Sequence, residues 1–218
     1  MVEIEVDLIE AIERKRLLNQ KKVAEIAQSF GLIGQLEPII VKSENGKYKL
    51  LAGWHRLEAA KLLGWKNIHA NIYNGSELEC ELVEIDENLI HNDLTVLEQG
   101  EQLQRRNEIL EEMGLRAQRG DNQFSGGPPT VGGPRTTEDI AKEAGMSGSS
   151  IKSRIQIARD IVPEVKEAIR DMPLADSTTQ LLQLARLEPE EQIAALEQIQ
   201  NGAKNIDDAK RKLRREQR

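Results

Sequence analysis

The feature that most constrains this chain is residues 38–73, where three apolar runs alternate with turn residues and one amphipathic stretch. Apolar runs bounded by turn residues predict strands at 38–41, 48–52 and 68–73. Asn45-Gly46 predicts the turn between the first two strands. The stretch after Gly53 has apolar residues on one face and Gly64 at its end, which predicts a helix. These residues therefore predict a β-hairpin, a helix and a third strand.

Gly53 lies where the second predicted strand ends and the helix begins. A helix N-terminus presents N–H groups and the positive end of the helix dipole, and glycine lets a ligand approach the backbone closely. His55 and Arg56 in the first turn would add donors and positive charge. We interpret this corner as a phosphate-binding site. An ordinary exposed basic turn is the alternative, because a single Gly-x-x-Arg pattern is common.

Composition restricts the class of protein. A chain of 218 residues with 39% hydrophobic residues can form one large or two small cores. The single cysteine, Cys80, excludes an internal disulfide and a cysteine-rich zinc site. No apolar run approaches the roughly 18 residues needed to cross a bilayer, and the acidic N-terminus does not resemble a signal peptide. We therefore expect a cytoplasmic protein with no membrane partner.

Charge is distributed unevenly along the chain. The net charge is -7, yet residues 135–218 hold 15 basic and 15 acidic side chains, and residues 1–134 hold 15 basic and 22 acidic ones. The C-terminal part is therefore not the basic block expected of a protein that coats DNA. A nucleic-acid site in this chain must be a local patch.

Other patterns in the first half predict further elements. Residues 2–8 alternate with period two and predict a half-buried strand, and apolar residues at helical spacing over 23–30 predict a helix. Ser76 and Thr95 each begin a capping box, which predicts a helix after each of them. In the first of these helices, Glu87 and Asn88 offer a carboxylate and a carboxamide, which suit Mg²⁺. A solvated helix face is the alternative for this pair.

Residues 116–135 are rich in Gly and Pro and show no periodicity, which predicts a linker between domains at 1–115 and 136–218. Residues 137–151 have the pattern of a helix-turn-helix, with Gly145 at the turn and Ser147 as the cap of the second helix. The candidate DNA-binding residues are Thr137, Ser147, Ser149, Ser150, Lys152, Ser153 and Arg154. A helical pair used only for packing is the alternative. Short helices are predicted after Pro163, Ser177 and Pro189, and a basic segment at 210–215 would contact DNA phosphate or lie in solvent.

The string Gly53-x-x-Arg56-x-x-Ala59, preceded by residues 34–41 and followed by Glu87-Asn88, resembles the N-terminal domain of the ParB family in the ParB/sulfiredoxin superfamily. Residues 137–151 and the short helices after them resemble the ParB DNA-binding domain. The resemblance implies an α+β fold in which a small ParB/sulfiredoxin-like α/β N-terminal domain is linked to an all-α helix-turn-helix domain.

The resemblance also implies CTP and Mg²⁺ as ligands. The implied nucleotide-binding residues are Gly53, Trp54, His55, Arg56, Ala59, Glu87, Asn88, His91 and Arg14. Glu87 and Asn88 are the implied metal ligands, and Glu87 is the candidate catalytic residue. For Trp54 the residues leave two interpretations open, stacking on a base or filling a gap in the core.

Three positions depart from the family's pattern. Glu37 replaces a Gln of the family, which bears on base recognition. His91 replaces an Arg, and a neutral His carries no permanent charge, so triphosphate binding is expected to be weaker or pH-dependent. Trp54 stands where sulfiredoxin has its Cys, so we do not expect sulfiredoxin activity.

The resulting hypothesis is a ParB-like DNA-binding protein with a CTP-Mg²⁺ switch, acting in plasmid or chromosome partition or on a mobile element. Its implied partners are DNA, a second copy of the chain and a ParA-type ATPase, and its implied enzymatic activity is at most weak CTP hydrolysis. One alternative is a metal-dependent nuclease or a nucleotide-dependent phosphotransferase. Another is a transcriptional regulator that binds no nucleotide.

Overall fold

The computed structural model describes residues 1–11, 18–91, 94–115 and 143–216, with the side chains of His91 and Glu216 excepted. The chain divides into two compact units, Met1–Glu87 and Asn88–Arg218. Two predicted segments lie outside the described residues: the linker at 116–135 and nearly all of the first helix of the helix-turn-helix. The division into domains at that linker stays a prediction. No helix in the described ranges is long and apolar enough to span a bilayer.

The first unit is built on a five-stranded sheet in the order β1-β5-β3-β4-β2. Its strands are β1 Val2–Glu5, β2 Ile9–Glu10, β3 Ile39–Glu44, β4 Lys47–Ala52 and β5 Asn67–Ile72. Strands β3 and β4 form the predicted antiparallel hairpin. Strand β5 runs parallel to β3, with Ala70 paired to Ile39, and β1 pairs antiparallel to the other edge of β5. The three strands predicted in residues 38–73 are confirmed.

Two helices of the first unit pack against each other, α1 Gln20–Ile33 and α2 Trp54–Leu62, and α3 Glu77–His91 follows β5. The core between sheet and helices contains Ile39, Leu57 and Ala60, none of which is exposed. Phe30 of α1 stacks on Trp65 with a ring-centroid distance of 5.0 Å. Fully burying each large apolar side chain contributes about 1.5–3 kcal/mol, so the predicted apolar faces are the ones that hold this unit together.

The predicted strand over residues 2–8 is shorter than expected. Strand β1 ends at Glu5, and Val6–Leu8 forms a 3₁₀ turn before the two residues of β2. The partner strand explains the difference, because the last residue of β1, Glu5, pairs with the first residue of β5, Asn67. Beyond that point β5 offers no further residue for the ladder, and Val6 N–H instead donates to the Lys66 carbonyl at 2.9 Å.

The second unit is helical in its described part. Its helices are α4 Val96–Glu112, α5 Gly148–Asp160, α6 Pro163–Ile169, α7 Thr178–Ala185, α8 Pro189–Gln200 and α9 Ile206–Glu216, with a 3₁₀ turn at Pro173–Asp176 between α6 and α7. The predicted capping boxes at Ser76 and Thr95 are both present, and Pro163 and Pro189 begin their helices as expected. The α+β class is confirmed.

Helix α4 packs on α5 and its Leu97 lies in the core of the second unit, although the sequence places this helix in a domain ending at residue 115. Gly100 allows the close approach, because a Cβ there would lie 2.4 Å from the carbonyl oxygen of Arg154. Glu101 also accepts two hydrogen bonds from Arg170 of the second unit, at 2.9 and 3.2 Å. These contacts explain why α4 belongs to the second unit.

Replacing Gly100 with Ala tests this packing. The added methyl group overlaps the backbone of α5, so Gly100→Ala is expected to lower the free energy of unfolding of the second unit by about 1–3 kcal/mol. Gly31→Ala is the matched control, since Gly31 lies inside α1 with nothing within 4 Å of its Cβ position. The control is expected to stabilise the first unit by up to about 1 kcal/mol. Thermal and urea unfolding measure the stability of the two variants. If Gly100→Ala stabilised the protein as much as Gly31→Ala does, the close packing of α4 on α5 at Gly100 would be contradicted.

Candidate functional site

The corner between β4 and α2 is formed by Gly53, which has φ +96°, a left-handed conformation that glycine adopts without strain. A Cβ at this position would lie 2.8 Å from Ile39 Cγ2 and 3.2 Å from Arg56 Nε. The chain can therefore turn sharply here and still pack on the central strand β3. The Gly53 carbonyl accepts the first helical hydrogen bond of α2 from Leu57 N–H at 3.0 Å, and Gly53 has no side chain with which to cap the helix.

Arg56 extends from the first turn of α2 toward the residues that precede β3. Its Nη1 donates to the Pro38 carbonyl at 2.8 Å and to Glu37 Oε2 at 3.3 Å. The Arg56 side chain is 20% exposed, whereas that of Glu37 is 79% exposed. The guanidinium is therefore held at the corner by a backbone carbonyl, and its carboxylate partner reaches it from the solvent side.

Two carboxylates of the chain lie at this corner. Gly53 N–H donates to Glu87 Oε1 at 3.3 Å, and Arg56 Nη1 donates to Glu37 Oε2 at the same distance. A backbone N–H and a guanidinium thus each hold an anionic oxygen. These are the two kinds of donor that bind phosphate oxygens at a helix N-terminus. The corner is chemically suited to an anionic ligand, provided that the ligand competes with these carboxylates.

The other residues predicted at the corner have different environments. Trp54 is partly buried and packs against the core of the first unit, as the core-filling interpretation requires. His55 is partly buried, with its ring centroid 6.4 Å from that of Trp54. Ala59 is 0% exposed and lies in the core, so its side chain contributes packing of α2 on the sheet and does not line the corner.

Glu87 is brought to the corner by α3, while the remaining predicted ligands are less fully described. Asn88 is the next residue of α3, and His91 ends the helix, with only its backbone described. Arg14 lies outside the described residues. Within the described residues there is no cluster of three or more His, Cys, Asp and Glu side chains suited to a metal ion. A magnesium site at Glu87 and Asn88 would therefore need oxygen ligands from a bound nucleotide or water.

Helix α5 is the predicted second helix of the helix-turn-helix. Ser147 caps it by accepting from Ser150 N–H at 3.2 Å, and the Ser147 and Ser149 hydroxyl oxygens lie 3.0 Å apart. Ser149 and Lys152 are exposed, and Ile151 is buried. The polar face predicted for DNA is therefore outward at these two positions. Thr137 lies outside the described residues.

Arg154 does not point outward as the sequence suggested. Its Nε donates to Gln99 of α4, and its Nη1 donates to the Ser150 hydroxyl and, at 3.3 Å, to the Ser150 carbonyl. Burial lowers the pKa of the Arg154 guanidinium, an effect that the nearby Asp176 opposes. The expectation of an exposed Arg154 was wrong because α4 covers that side of α5. Ser150, which accepts from Arg154, is half-buried.

The structure adds two residues to the Ser149 side of α5, the half-buried Gln156 and the exposed Arg159. Ser149, Lys152, Gln156 and Arg159 follow one another at spacings of three or four, which places them on one side of the helix. Arg159 is exposed and donates to both carboxylate oxygens of Asp160, at 2.7 and 3.1 Å. Helical spacing from Ser149 would have found Gln156 and Arg159 in the sequence.

Comparison with known proteins gives a consistent picture. Residues 1–89 match the model of the ParB N-terminal domain. The nucleoid occlusion protein of Oceanobacillus iheyensis is 25% identical to this chain, in an alignment that covers 94% of it. The nucleoid occlusion protein of Bacillus pumilus is 27% identical, in an alignment that covers 90% of it. These matches cover 65% and 60% of the relatives, and a match to the Halalkalibacterium halodurans protein covers 49% of it. The chain therefore spans about half to two thirds of these curated relatives.

Two solved structures share the fold. The C-terminally truncated chromosome-partitioning protein ParB from Caulobacter crescentus, complexed to the centromeric parS site, has a TM-score of 0.56 at 20% identity, with 99% of this chain and 100% of that one covered. A Pnob8-like ParB-N domain has a TM-score of 0.54 at 14% identity, with 89% and 87% covered.

A pair of glycine substitutions tests the geometry of the corner. Gly46 and Gly53 both have positive φ, +83° and +96°, but only at Gly53 does a Cβ meet neighbouring atoms. Gly46→Ala is expected to cost about 1–2 kcal/mol from the left-handed backbone alone. Gly53→Ala is expected to cost about 1–3 kcal/mol more, because it also displaces Ile39. Urea unfolding of both variants measures the difference, and equal losses would contradict a tightly packed corner.

Proposed function

We propose that this chain, whose first 89 residues match the model of the ParB N-terminal domain, is a DNA-binding protein regulated by a nucleoside triphosphate. The observation that carries the proposal is the Gly53 corner, where a backbone N–H and the Arg56 guanidinium each hold a carboxylate oxygen. Polyphosphate oxygens would replace these carboxylates at the same donors. The family resemblance favours CTP as the nucleotide.

Each residue of the corner has a defined part in the proposal. Gly53 lets the phosphates approach the backbone, and Arg56, held by the Pro38 carbonyl, supplies the charge-assisted hydrogen bonds. Glu87 and Asn88 would hold Mg²⁺, which supplies charge neutralisation between the phosphates. Trp54 packs against the core of the first unit and Ala59 lies inside that core, so in this proposal neither side chain contacts the phosphates.

The DNA-binding part of the proposal rests on α5. The Caulobacter crescentus ParB of shared fold is complexed to parS DNA. In this chain, Ser149 and Lys152 form the exposed start of α5, and Gln156 and Arg159 continue that face. We propose that Ser149 contacts phosphate and that Lys152 and Gln156 reach base edges in the major groove. Arg154 is excluded from this set because it bonds to Gln99.

Coupling between nucleotide binding and DNA binding would follow from a difference in nucleotide affinity between two states of the protein. A nucleotide that binds one association state of the first unit more tightly than the other shifts the population toward it. We propose that the shifted equilibrium is between separate and paired copies of the chain. By the same resemblance, a ParA-type ATPase is a further proposed partner, and partition of a chromosome or plasmid is the proposed process.

Titration with each nucleoside triphosphate plus Mg²⁺, with and without duplex DNA, tests the proposal directly. Wild-type protein is expected to bind CTP without cleaving the DNA. Arg56→Ala is expected to weaken CTP binding at least tenfold, because charged hydrogen bonds contribute about 1.5–3 kcal/mol. Its affinity for DNA is expected to stay within about twofold. Lys61→Ala, at the other end of α2, is the control and should bind CTP normally. Metal-dependent DNA cleavage would favour a nuclease, and DNA binding that ignores every nucleotide would favour a simple regulator.

Glu37→Gln tests the competition for Arg56. Removing the carboxylate leaves the guanidinium to the nucleotide, so the variant is expected to bind CTP about 1.4- to fivefold more tightly, since exposed ion pairs contribute about 0.2–1 kcal/mol. Glu58→Gln, which breaks the exposed pair with Lys61 on the same unit, is the matched control. Isothermal calorimetry measures both. Weaker CTP binding by Glu37→Gln would mean that Glu37 contacts the nucleotide instead of competing with it.

A further inference from the structure

The last helix, α9, carries a basic face that the nucleotide switch does not use. Its apolar side is fixed, because Ile206 and Ala209 are fully buried and Leu213 packs on the same core. The opposite side of its last two turns therefore faces solvent in a defined direction. We call the cations of these turns the α9 basic face: Arg211, Arg214 and Arg215 are exposed opposite the apolar side, and the half-buried Lys210 and Lys212 flank them.

The charges of this face are not neutralised by the rest of the described chain. Arg211, Arg214 and Arg215 are exposed, and no described carboxylate forms an ion pair with any cation of the α9 basic face. Two of the three acidic residues of α9 lie in its first turn, where Asp207 accepts from Gln183 Nε2 at 3.1 Å and Asp208 accepts from Lys204 N–H at 3.1 Å. The helix is therefore acidic in its first turn and basic from Lys210 to Arg215, ahead of its terminal Glu216.

The helix dipole explains only part of this pattern. Cations in the last turn stabilise the negative end of a helix, which accounts for Arg214 and Arg215. Lys210, Arg211 and Lys212 lie one turn earlier, where that stabilisation falls away. On a chain with net charge -7, the helix dipole therefore leaves the exposed Arg211 and the flanking Lys210 and Lys212 unexplained.

The surroundings of the face favour a polyanion over a membrane. The apolar side of α9 is already buried in the protein core, so the helix cannot insert it into a lipid surface. Helices α5 and α9 both pack against α7, which places the basic face in the same compact unit as the proposed recognition helix. Arginine forks match phosphate geometry, and spaced cations along a rigid helix suit the regular phosphates of a duplex.

We propose that the α9 basic face binds the phosphates of duplex DNA without regard to sequence, as a second contact beside α5. This contact is independent of nucleotide binding at the Gly53 corner. It supplies a local attraction for DNA on a chain whose overall charge repels it.

The test uses the full chain with three charges of the face removed, Arg211→Gln, Arg214→Gln and Arg215→Gln together. Affinity for a random-sequence duplex is measured at several salt concentrations without nucleotide. Each lost phosphate contact lowers the slope of log affinity against log salt by about 0.9, so a fall of about 2–3 is expected. The single variant Arg211→Gln is expected to lower the slope by about 0.9, which gives a reading even if the triple variant folds poorly.

The control removes the same charge elsewhere, with Lys21→Gln, Lys61→Gln and Lys66→Gln, all exposed residues of the first unit. Its slope is expected to match the wild type. Equal slopes for wild-type and the α9 triple variant, or equal falls in the α9 and control variants, would overturn the proposal. The proposal would also be overturned if the α9 triple variant lost binding to anionic vesicles but kept its affinity for DNA.

A substitution in α5 distinguishes the contribution of the α9 basic face to DNA binding from the contribution of the proposed recognition helix. Lys152→Gln is expected to reduce the preference for a specific site over random DNA. The α9 triple variant is expected to weaken binding to both duplexes by the same factor and leave that preference unchanged. A change of preference in the α9 variant would assign the basic face to sequence recognition and overturn the proposal.

Discussion

The packing of Gly53 on Ile39 is the contact on which the candidate site depends. Ile39 is fully buried in the central strand β3, and the left-handed backbone of Gly53 lies against its side chain. A side chain at residue 53 would have to displace Ile39 or Arg56, because a Cβ there would lie 2.8 Å from Ile39 Cγ2 and 3.2 Å from Arg56 Nε. Because the helix begins at this point, the same contact fixes the direction of the first-turn N–H groups and of Arg56. The geometry that stabilises the fold is therefore also the geometry that presents donors to an anion.

Arg56 shows how the chain satisfies a charged group at such a corner. The Pro38 carbonyl holds the guanidinium in place, and Glu37 supplies an exposed, exchangeable carboxylate. A deeply buried pair would resist replacement, because separating it leaves a charge without water or partner. An exposed pair contributes little and exchanges easily. Glu37 is therefore the anion that a phosphate bound at Arg56 would have to replace, and it stands where the resembled family usually has Gln.

The sequence predicted those features that depend on neighbouring residues. The hairpin turn, the capping boxes at Ser76 and Thr95 and the corner at Gly53 are local patterns, and all three are present in the structure. The end of β1 was missed because it depends on where β5 begins, some sixty residues later. The orientation of Arg154 was missed because α4 covers that side of α5 only after folding. The ion pair of Glu37 with Arg56 likewise joins residues that are close only in the folded chain.

The central claim is that nucleotide phosphates bind at the Gly53 N–H and the Arg56 guanidinium. Nuclear magnetic resonance of ¹⁵N-labelled protein tests it at both atoms. On addition of CTP and Mg²⁺, the Gly53 amide and Arg56 Nε signals are expected to shift together, with the same apparent affinity, while the Gly46 amide in the distant hairpin stays unchanged. Saturable CTP binding that leaves the Gly53 and Arg56 signals in place would contradict the account.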